Sequence, residues 1–123
     1  KSKILLKNIY SNNINTWKKE YTELQKYQFI INTLTNMTIC NKKGYINTTY
    51  KNTYKNIPKN FTPWFKINEH IFNNINVFFG NWKELSGITH KKNIIATNTG
   101  TIWGMYLSAI NIKTKQRYYI KKT

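Results

Sequence analysis

The sequence VFFGNWKELSGITHKKNIIATNTGTIWG, residues 77–104, carries the strongest fold signal in the chain. An apolar run leads through a glycine to Asn81 and Trp82, and a second apolar run ends just before Asn98, with Trp103 shortly after. This pattern predicts two short strands, each ending in a turn with a polar side chain at its tip. Because strand ends can present side chains to a ligand, Asn81 and Asn98 are candidate site residues, and the tryptophans could flank them.

The surrounding sequence predicts one helix and further strands. Apolar and aromatic residues recur at helical spacing over residues 17–35, with Thr16 as a plausible N-cap, and we expect this stripe, which includes Leu34, to face the core. Residues 36–49 predict two short strands joined by a turn. Residues 105–120 predict a C-terminal β-hairpin. The fold class is therefore α+β, with no sign of a second domain.

A third feature is the aromatic segment FTPWF, residues 61–65. Pro63 fixes its own φ and lacks a backbone donor, so we expect a rigid, non-helical segment. Its rings could hold a nucleobase, or they could pack on the sheet, which is the more common role of such residues.

The charge is strongly unbalanced, since 20 Lys and Arg residues face four acidic ones and give a net charge of +16. Such a charge can indicate a polyanionic partner, and a small basic nucleic-acid-binding protein is one hypothesis. The abundance of Lys, Asn and Ile is also typical of codon drift in an AT-rich genome. Arg117 is the single arginine. Because arginine supplies most bidentate contacts to bases, its scarcity makes a nucleic-acid partner the weaker interpretation.

The single cysteine, Cys40, excludes a disulfide within the chain and favours a reducing compartment such as the cytoplasm. No segment is long and apolar enough to predict a membrane span, and no secretory signal is visible. The chain starts at Lys1 and not at Met, which suggests a fragment.

The residues of common catalytic sites are missing or dispersed. The four glutamates form no pair suited to acid–base chemistry, and the chain contains no aspartate. His70 and His90 do not make a metal site together with Cys40, and no complete glycine-rich phosphate loop occurs. We therefore expect no catalytic residue in this segment and no activity from the chain alone.

These turns and their neighbours resemble a known family, the symmetrical bis(5'-nucleosyl)-tetraphosphatases, which are calcineurin-like metallophosphatases. Five blocks match the last part of such an enzyme in order and spacing, and they cover nearly the whole chain. They are Asn12-Asn13 with Trp17 (family Asn-Asn-Trp), FIINTLTNM at 29–37 (Phe-Ile-x-Asn-Ala-Phe-Thr-Arg-Met), Pro63-Trp64-Phe65 (Pro-Trp-Phe), Phe79-Gly80-Asn81-Trp82 with Leu85 and Gly87 (Phe-Gly-His-Trp-x-x-Leu-x-Gly), and Thr99-Gly100, Trp103-Gly104 and Leu107 (Asp-Thr-Gly-x-x-Trp-Gly-x-x-Leu).

The resemblance implies both a fold and a function. Residues 1–123 would form a single partial domain, the C-terminal half of a four-layer α/β/β/α metallophosphatase fold that ends in a β-hairpin. The family hydrolyses diadenosine tetraphosphate to two ADP at a centre of divalent metal ions, Mn²⁺, Co²⁺ or Mg²⁺. The expected partner is a dinucleoside polyphosphate, with Trp82, Trp103 and Asn98 as substrate-binding residues.

The sequence also departs from the family pattern. Asn81 stands where the family has a metal-binding histidine, and Asn98 stands where it has an aspartate. Asn36 and Thr38 replace arginines around the Thr-Arg-Met block. An amide oxygen can still bind a divalent cation, so Asn81 is a weakened candidate metal ligand. A decayed, inactive remnant is therefore a further hypothesis.

Overall fold

The structure is a computed structural model that describes residues 9, 14–100 and 106–121. It forms two compact units. The first contains the described residues up to Tyr50 together with Ile57–Ile67, and the second contains Lys51–Asn56 and the described residues from Asn68 onward. Two compact units can be parts of one domain in a longer chain, so the single partial domain stays a prediction.

The first unit contains helix α1, Glu23–Asn36. It begins later than the sequence pattern predicts, because Thr22 and not Thr16 is the N-cap. The Thr22 hydroxyl accepts a hydrogen bond from the backbone N–H of Gln25, and the Gln25 side chain accepts one from the backbone N–H of Thr22. This reciprocal capping box satisfies two backbone donors that would otherwise lack partners.

The prediction that the helical stripe faces the core is wrong at several positions, since Trp17 and Tyr27 are 48% and 46% exposed and the helix buries none of its apolar residues. Helix α1 buries Asn32, whereas the Leu34 side chain is 80% exposed. Two residues along a helix correspond to a rotation of roughly 200°. A helix that turns Asn32 inward therefore turns Leu34 outward.

A small antiparallel sheet accompanies this helix. Its strands are β1 (Ile39–Cys40), β2 (Ile46–Asn47) and β3 (Thr62–Pro63), in the order β2-β1-β3. The two predicted strands and their turn are confirmed. The aromatic segment differs from the prediction, because β3 pairs with β1 and a 3-10 helix, Trp64–Lys66, follows it directly.

The core of the first unit explains why the aromatic segment takes this form. Ile39, Ile46 and Phe65 are almost fully buried beside the strands. Pro63 ends the sheet at β3, and its fixed φ of −50° leads into the 3-10 turn that places Phe65 inside. The Phe65 ring therefore packs as part of the core.

Among its described residues, the second unit contains four strands. Strands β4 (Val77–Phe79) and β5 (Ile94–Ala96) are parallel, and β6 (Tyr106–Ile110) and β7 (Arg117–Lys121) form an antiparallel hairpin. The two strands of residues 77–104 and the C-terminal hairpin are thus confirmed.

The structure bears out a mixture of helix and strand, while the four-layer arrangement stays a prediction. The core of the second unit is formed by side chains at or near β4 and β5, namely Trp82, Leu85, Thr89, Ile94, Ala96 and Thr99. Within the ranges described above, none of the helices has the length and apolar character needed to cross a membrane.

Candidate functional site

The two predicted tips lie at the same edge of one strand pair. Phe79, the last residue of β4, is paired with Ala96, the last residue of β5. Since the strands are parallel, the chain leaves both at their carboxyl ends, and Asn81 and Asn98 each come two residues later. The backbone N–H of Thr97 donates to the Phe79 carbonyl at 2.7 Å, which continues the pairing toward the tips. We take this edge as the candidate site.

Asn81 makes the turn at the first tip itself. Its φ is 58°, in the left-handed region, whereas Gly80 does not have a positive φ. The left-handed residue of this turn is therefore Asn81 and not the glycine before it. Asn and His are among the side chains that tolerate this backbone conformation best. The exposed Asn81 side chain thus occupies a position whose backbone also suits the histidine of the family pattern.

Asn98 orders the second tip through its own side chain. Its Oδ1 accepts a hydrogen bond at 2.9 Å from the backbone N–H of Gly100, which has a φ of 78°. The next residue, Thr99, is buried, and its hydroxyl contacts the Ser108 hydroxyl at 3.0 Å on the hairpin. A carboxylate at position 98 would accept the same bond more strongly. The asparagine therefore keeps the turn and loses the charge.

Of the two tryptophans predicted to flank the tips, Trp82 is among the described residues and Trp103 is not. Trp82 is only 1% exposed, and its Nε1–H donates to the Asn52 carbonyl at 2.9 Å. In this unit it is a core side chain, so the wall that we predicted beside Asn81 is not an open surface. Substrate contact by Trp82 stays a prediction. Trp103 lies outside the described residues, and its assignment is likewise a prediction.

Tyr54 is a site neighbour that the sequence analysis missed. Its ring lies 6.3 Å from that of Trp82 and 5.8 Å from that of His90. The Tyr54 hydroxyl donates to the Ile88 carbonyl at 3.3 Å, and burial raises the pKa of this phenol. Position 54 sits in a polar stretch without periodicity, so no local signal could have placed it beside Trp82.

Asn36 and Thr38, which stand where the family pattern has arginines, belong to the first unit. Thr38 is 1% exposed, and its hydroxyl donates to the Tyr50 carbonyl at 2.9 Å. The Asn36 side-chain amide donates to Asn32 Oδ1 at 3.4 Å. Both side chains thus serve local structure, and neither carries the charge of the arginine that the family pattern has there.

The described residues do not by themselves fit a metal centre. Across residues 9, 14–100 and 106–121, no three His, Cys, Asp or Glu side chains come together in a way that could hold a metal ion. Asn81 offers one amide oxygen. Glu84, three residues later, has a buried carboxylate oxygen with no hydrogen-bond partner among the described residues. One amide oxygen and one carboxylate oxygen are fewer ligands than a dedicated site for a divalent metal ion uses.

Comparison with known proteins identifies the relatives of this chain, although no family model matches it. A protein of Coxiella burnetii (strain RSA 331) named symmetrical bis(5'-nucleosyl)-tetraphosphatase is 32% identical over 115 residues, which are 94% of this chain. Proteins of the same name from Marinomonas sp. (strain MWYL1) and Actinobacillus pleuropneumoniae serotype 5b are each 32% identical, over 89% and 88% of the chain.

The chain spans 40% of the length of these relatives. This share agrees with the motif order, in which all five blocks match the last part of the family's sequence. The chain therefore belongs to the symmetrical bis(5'-nucleosyl)-tetraphosphatase family and corresponds to its C-terminal portion.

Proposed function

We propose that the protein containing this chain hydrolyses diadenosine tetraphosphate symmetrically to two ADP. The observation that carries the proposal is the shared edge of β4 and β5, where Asn81 and Asn98 follow paired strand ends. These are the positions at which the family pattern has a histidine and an aspartate. The names of the relatives support the substrate class, a dinucleoside polyphosphate.

The roles within the proposed site follow the family pattern. Asn81 would supply one ligand to divalent metal ions (Mn²⁺, Co²⁺ or Mg²⁺), and the other ligands would come from parts of the protein beyond this chain. Asn98, with Trp82 and Trp103, would contact the substrate. Because an amide oxygen is a weaker ligand than imidazole for a borderline metal such as Co²⁺, we expect low activity rather than full activity with that metal. We also place the protein in the cytoplasm, in keeping with a free, buried Cys40.

A chimera tests the proposal directly. The portion of the Coxiella relative that precedes the matched residues would be joined to this chain, and ADP release from diadenosine tetraphosphate would be followed chromatographically with and without EDTA. We expect no ADP from the chain alone and slow, EDTA-sensitive release from the chimera. Asn81→His in the chimera should raise the rate by at least about tenfold, since even outer-shell changes at metal sites alter activity or affinity by that much.

The controls separate a weakened enzyme from a decayed one. The intact Coxiella protein fixes the full rate, and the same protein with asparagine at the equivalent histidine shows what this single change costs. If the folded chimera stays inactive even with Asn81→His, the enzymatic proposal fails and the decayed-remnant hypothesis replaces it.

A further inference from the structure

The first unit contains a cleft that the proposed reaction does not use. It is an open cleft of about 760 Å³ lined by Asn41, Lys42, Lys43, Asn60, Phe61, Thr62, Lys66 and Ile67. None of these residues belongs to the β4–β5 edge. Binding sites for small molecules typically measure about 300–1,000 Å³, so the cleft is large enough for one such ligand. We call it the lysine cleft.

All the charged residues that line the lysine cleft are positive. Three of its eight lining residues are lysines and none is acidic. Lys42 and Lys43 are adjacent in sequence and exposed. Lysine ammonium groups bind phosphate as compact point charges. This lining therefore favours a ligand with several negative charges.

The backbone that carries Lys42 and Lys43 is fixed by its own hydrogen bonds. Asn41 Oδ1 accepts from the backbone N–H groups of Lys43 and Tyr45, both at 3.0 Å, and the N–H of Gly44 donates to the Asn41 carbonyl at 3.0 Å. Gly44 has a φ of 79°, which a residue with a Cβ would adopt only with strain. The two lysines of the cleft lining therefore belong to an ordered turn.

The lining of the cleft also includes an aromatic ring. Phe61 precedes β3, and its backbone N–H donates to the Pro58 carbonyl at 3.1 Å. Its ring contacts that of Tyr45 edge-on, with centroids 6.0 Å apart, so one edge is held while the side chain still lines the cleft. An aromatic face beside cationic groups suits a ligand that joins a base to phosphates, since bases stack on such rings.

We propose that the lysine cleft binds a nucleoside polyphosphate, with the phosphates at Lys42, Lys43 and Lys66 and the base against Phe61. A volume of about 760 Å³ is large enough for one nucleotide. This assigns a ligand-contacting role to the aromatic segment whose Phe65 and Pro63 serve the core. The proposal does not depend on hydrolysis or on metal ions, and it can be tested in EDTA.

Calorimetric titration of the 123-residue protein with three probes tests it: adenosine triphosphate, inorganic tripolyphosphate and adenosine. We expect adenosine triphosphate to bind most tightly. Lys42→Ala/Lys43→Ala should weaken both phosphate probes by at least about tenfold, since hydrogen bonds to charged groups contribute that much. Phe61→Leu should weaken adenosine triphosphate by about tenfold and leave tripolyphosphate unchanged.

The matched control is Lys18→Ala/Lys19→Ala, an adjacent and exposed lysine pair that does not line the cleft. Equal losses from both lysine pairs would mean that general charge attracts the anion, and the proposal would be wrong. It would also be wrong if Phe61→Leu weakened tripolyphosphate as much as adenosine triphosphate, or if adenosine triphosphate bound no more tightly than adenosine.

Chemical-shift mapping on the unsubstituted, ¹⁵N-labelled protein gives a test that needs no variant to fold. Adenosine triphosphate should shift the amides of residues 41–45 and 60–62 most strongly. Shifts that spread evenly over exposed lysines, or that concentrate elsewhere, would overturn the assignment of the cleft.

Discussion

The parallel pair β4–β5 and the hairpin β6–β7 lie in the same unit but are stabilised in different ways. The parallel pair has three paired positions and buries Ile94 and Ala96 almost completely. The hairpin has five paired positions, yet Leu107, Tyr118 and Ile120 are all more than half exposed. The longer ladder therefore contributes less to the core than the shorter one.

Polar contacts attach the hairpin to the parallel pair. Arg117 donates from Nη2 to the Ala96 carbonyl at 2.5 Å and from Nη1 to the Ser108 hydroxyl at 3.1 Å. Ser108 in turn donates to the Thr97 carbonyl at 3.1 Å. Hydrogen bonds fix direction but contribute modest net free energy, whereas buried apolar surface contributes more. The comparison teaches that the site edge is held by burial and the hairpin by a few directed contacts.

The largest expected effect concerns the side chain beside the first tip. Trp82→Ala should lower the free energy of unfolding by about 3–5 kcal/mol, because it leaves a large cavity and removes the donor to Asn52. Urea unfolding followed by circular dichroism measures the change. Tyr118→Ala on the hairpin is the control, and its effect should stay within about 0.5 kcal/mol. A small effect of Trp82→Ala would mean that the ring is not part of the core.

A matched isoleucine pair gives the next largest effect. Ile94→Ala in β5 should cost about 2–5 kcal/mol in unfolding free energy. Ile120→Ala in β7, where the side chain is 70% exposed, should change it by less than about 0.5 kcal/mol. If the two substitutions cost the same at every protein concentration, the contrast between the strand pairs is wrong. A cost at Ile120 that grows with concentration would indicate association through the hairpin.

Local elements of this fold could be predicted from the sequence, but their ends and partners could not. Turn residues located the strands of residues 77–104 and the hairpin. The start of α1 was missed because Thr16 is a capping residue type, although the pair Thr22 and Gln25 carries the stronger capping signal. The parallel pairing of β4 with β5 depends on contacts distant in sequence, and no local pattern reports them.

The candidate site, like the fold, could be predicted from the sequence only in part. Motif spacing located Asn81 and Asn98, since both follow apolar runs. Spacing could not show that the Trp82 side chain is buried, because a tryptophan after a strand can either line a binding surface or pack in the core. Nor could it assign the left-handed φ to Asn81 rather than Gly80, because both residue types adopt it readily. Among the described residues, no three His, Cys, Asp or Glu side chains lie together in a way that could hold a metal ion, so the proposed metal site rests on the family pattern alone.

The polar attachment of the hairpin predicts an intermediate effect. Arg117→Lys should cost about 1–3 kcal/mol, because one ammonium group does not reproduce the planar fork that reaches both Ala96 and Ser108. Lys121→Ala on the same strand is exposed and should have little effect. Ser108→Ala combined with Arg117→Lys should cost less than the sum of the two changes, since they share one contact. Strict additivity in urea unfolding would show that Arg117 acts without Ser108.

The smallest expected effect lies at the tip itself. Asn81→Ala should cost about 1–2 kcal/mol, because alanine adopts the left-handed φ of 58° only with strain. Asn81→Gly should be close to neutral, and Asn81→His should cost less than Asn81→Ala, since histidine is enriched in this conformation. Asn73→Ala, at an exposed residue with a φ of −57°, controls for loss of the amide alone.

Thermal and urea unfolding of these four variants would show whether residue 81 affects stability through its backbone conformation or through its side-chain amide. A cost for Asn81→Ala no greater than that for Asn73→Ala would contradict the left-handed turn. If Asn81→His leaves stability nearly unchanged, any gain in turnover that it brings to the chimera reflects ligand chemistry and not folding. Burial beside the tip, at Trp82 and Ile94, is what would allow residue 81 to change its chemistry without disturbing the fold that presents it.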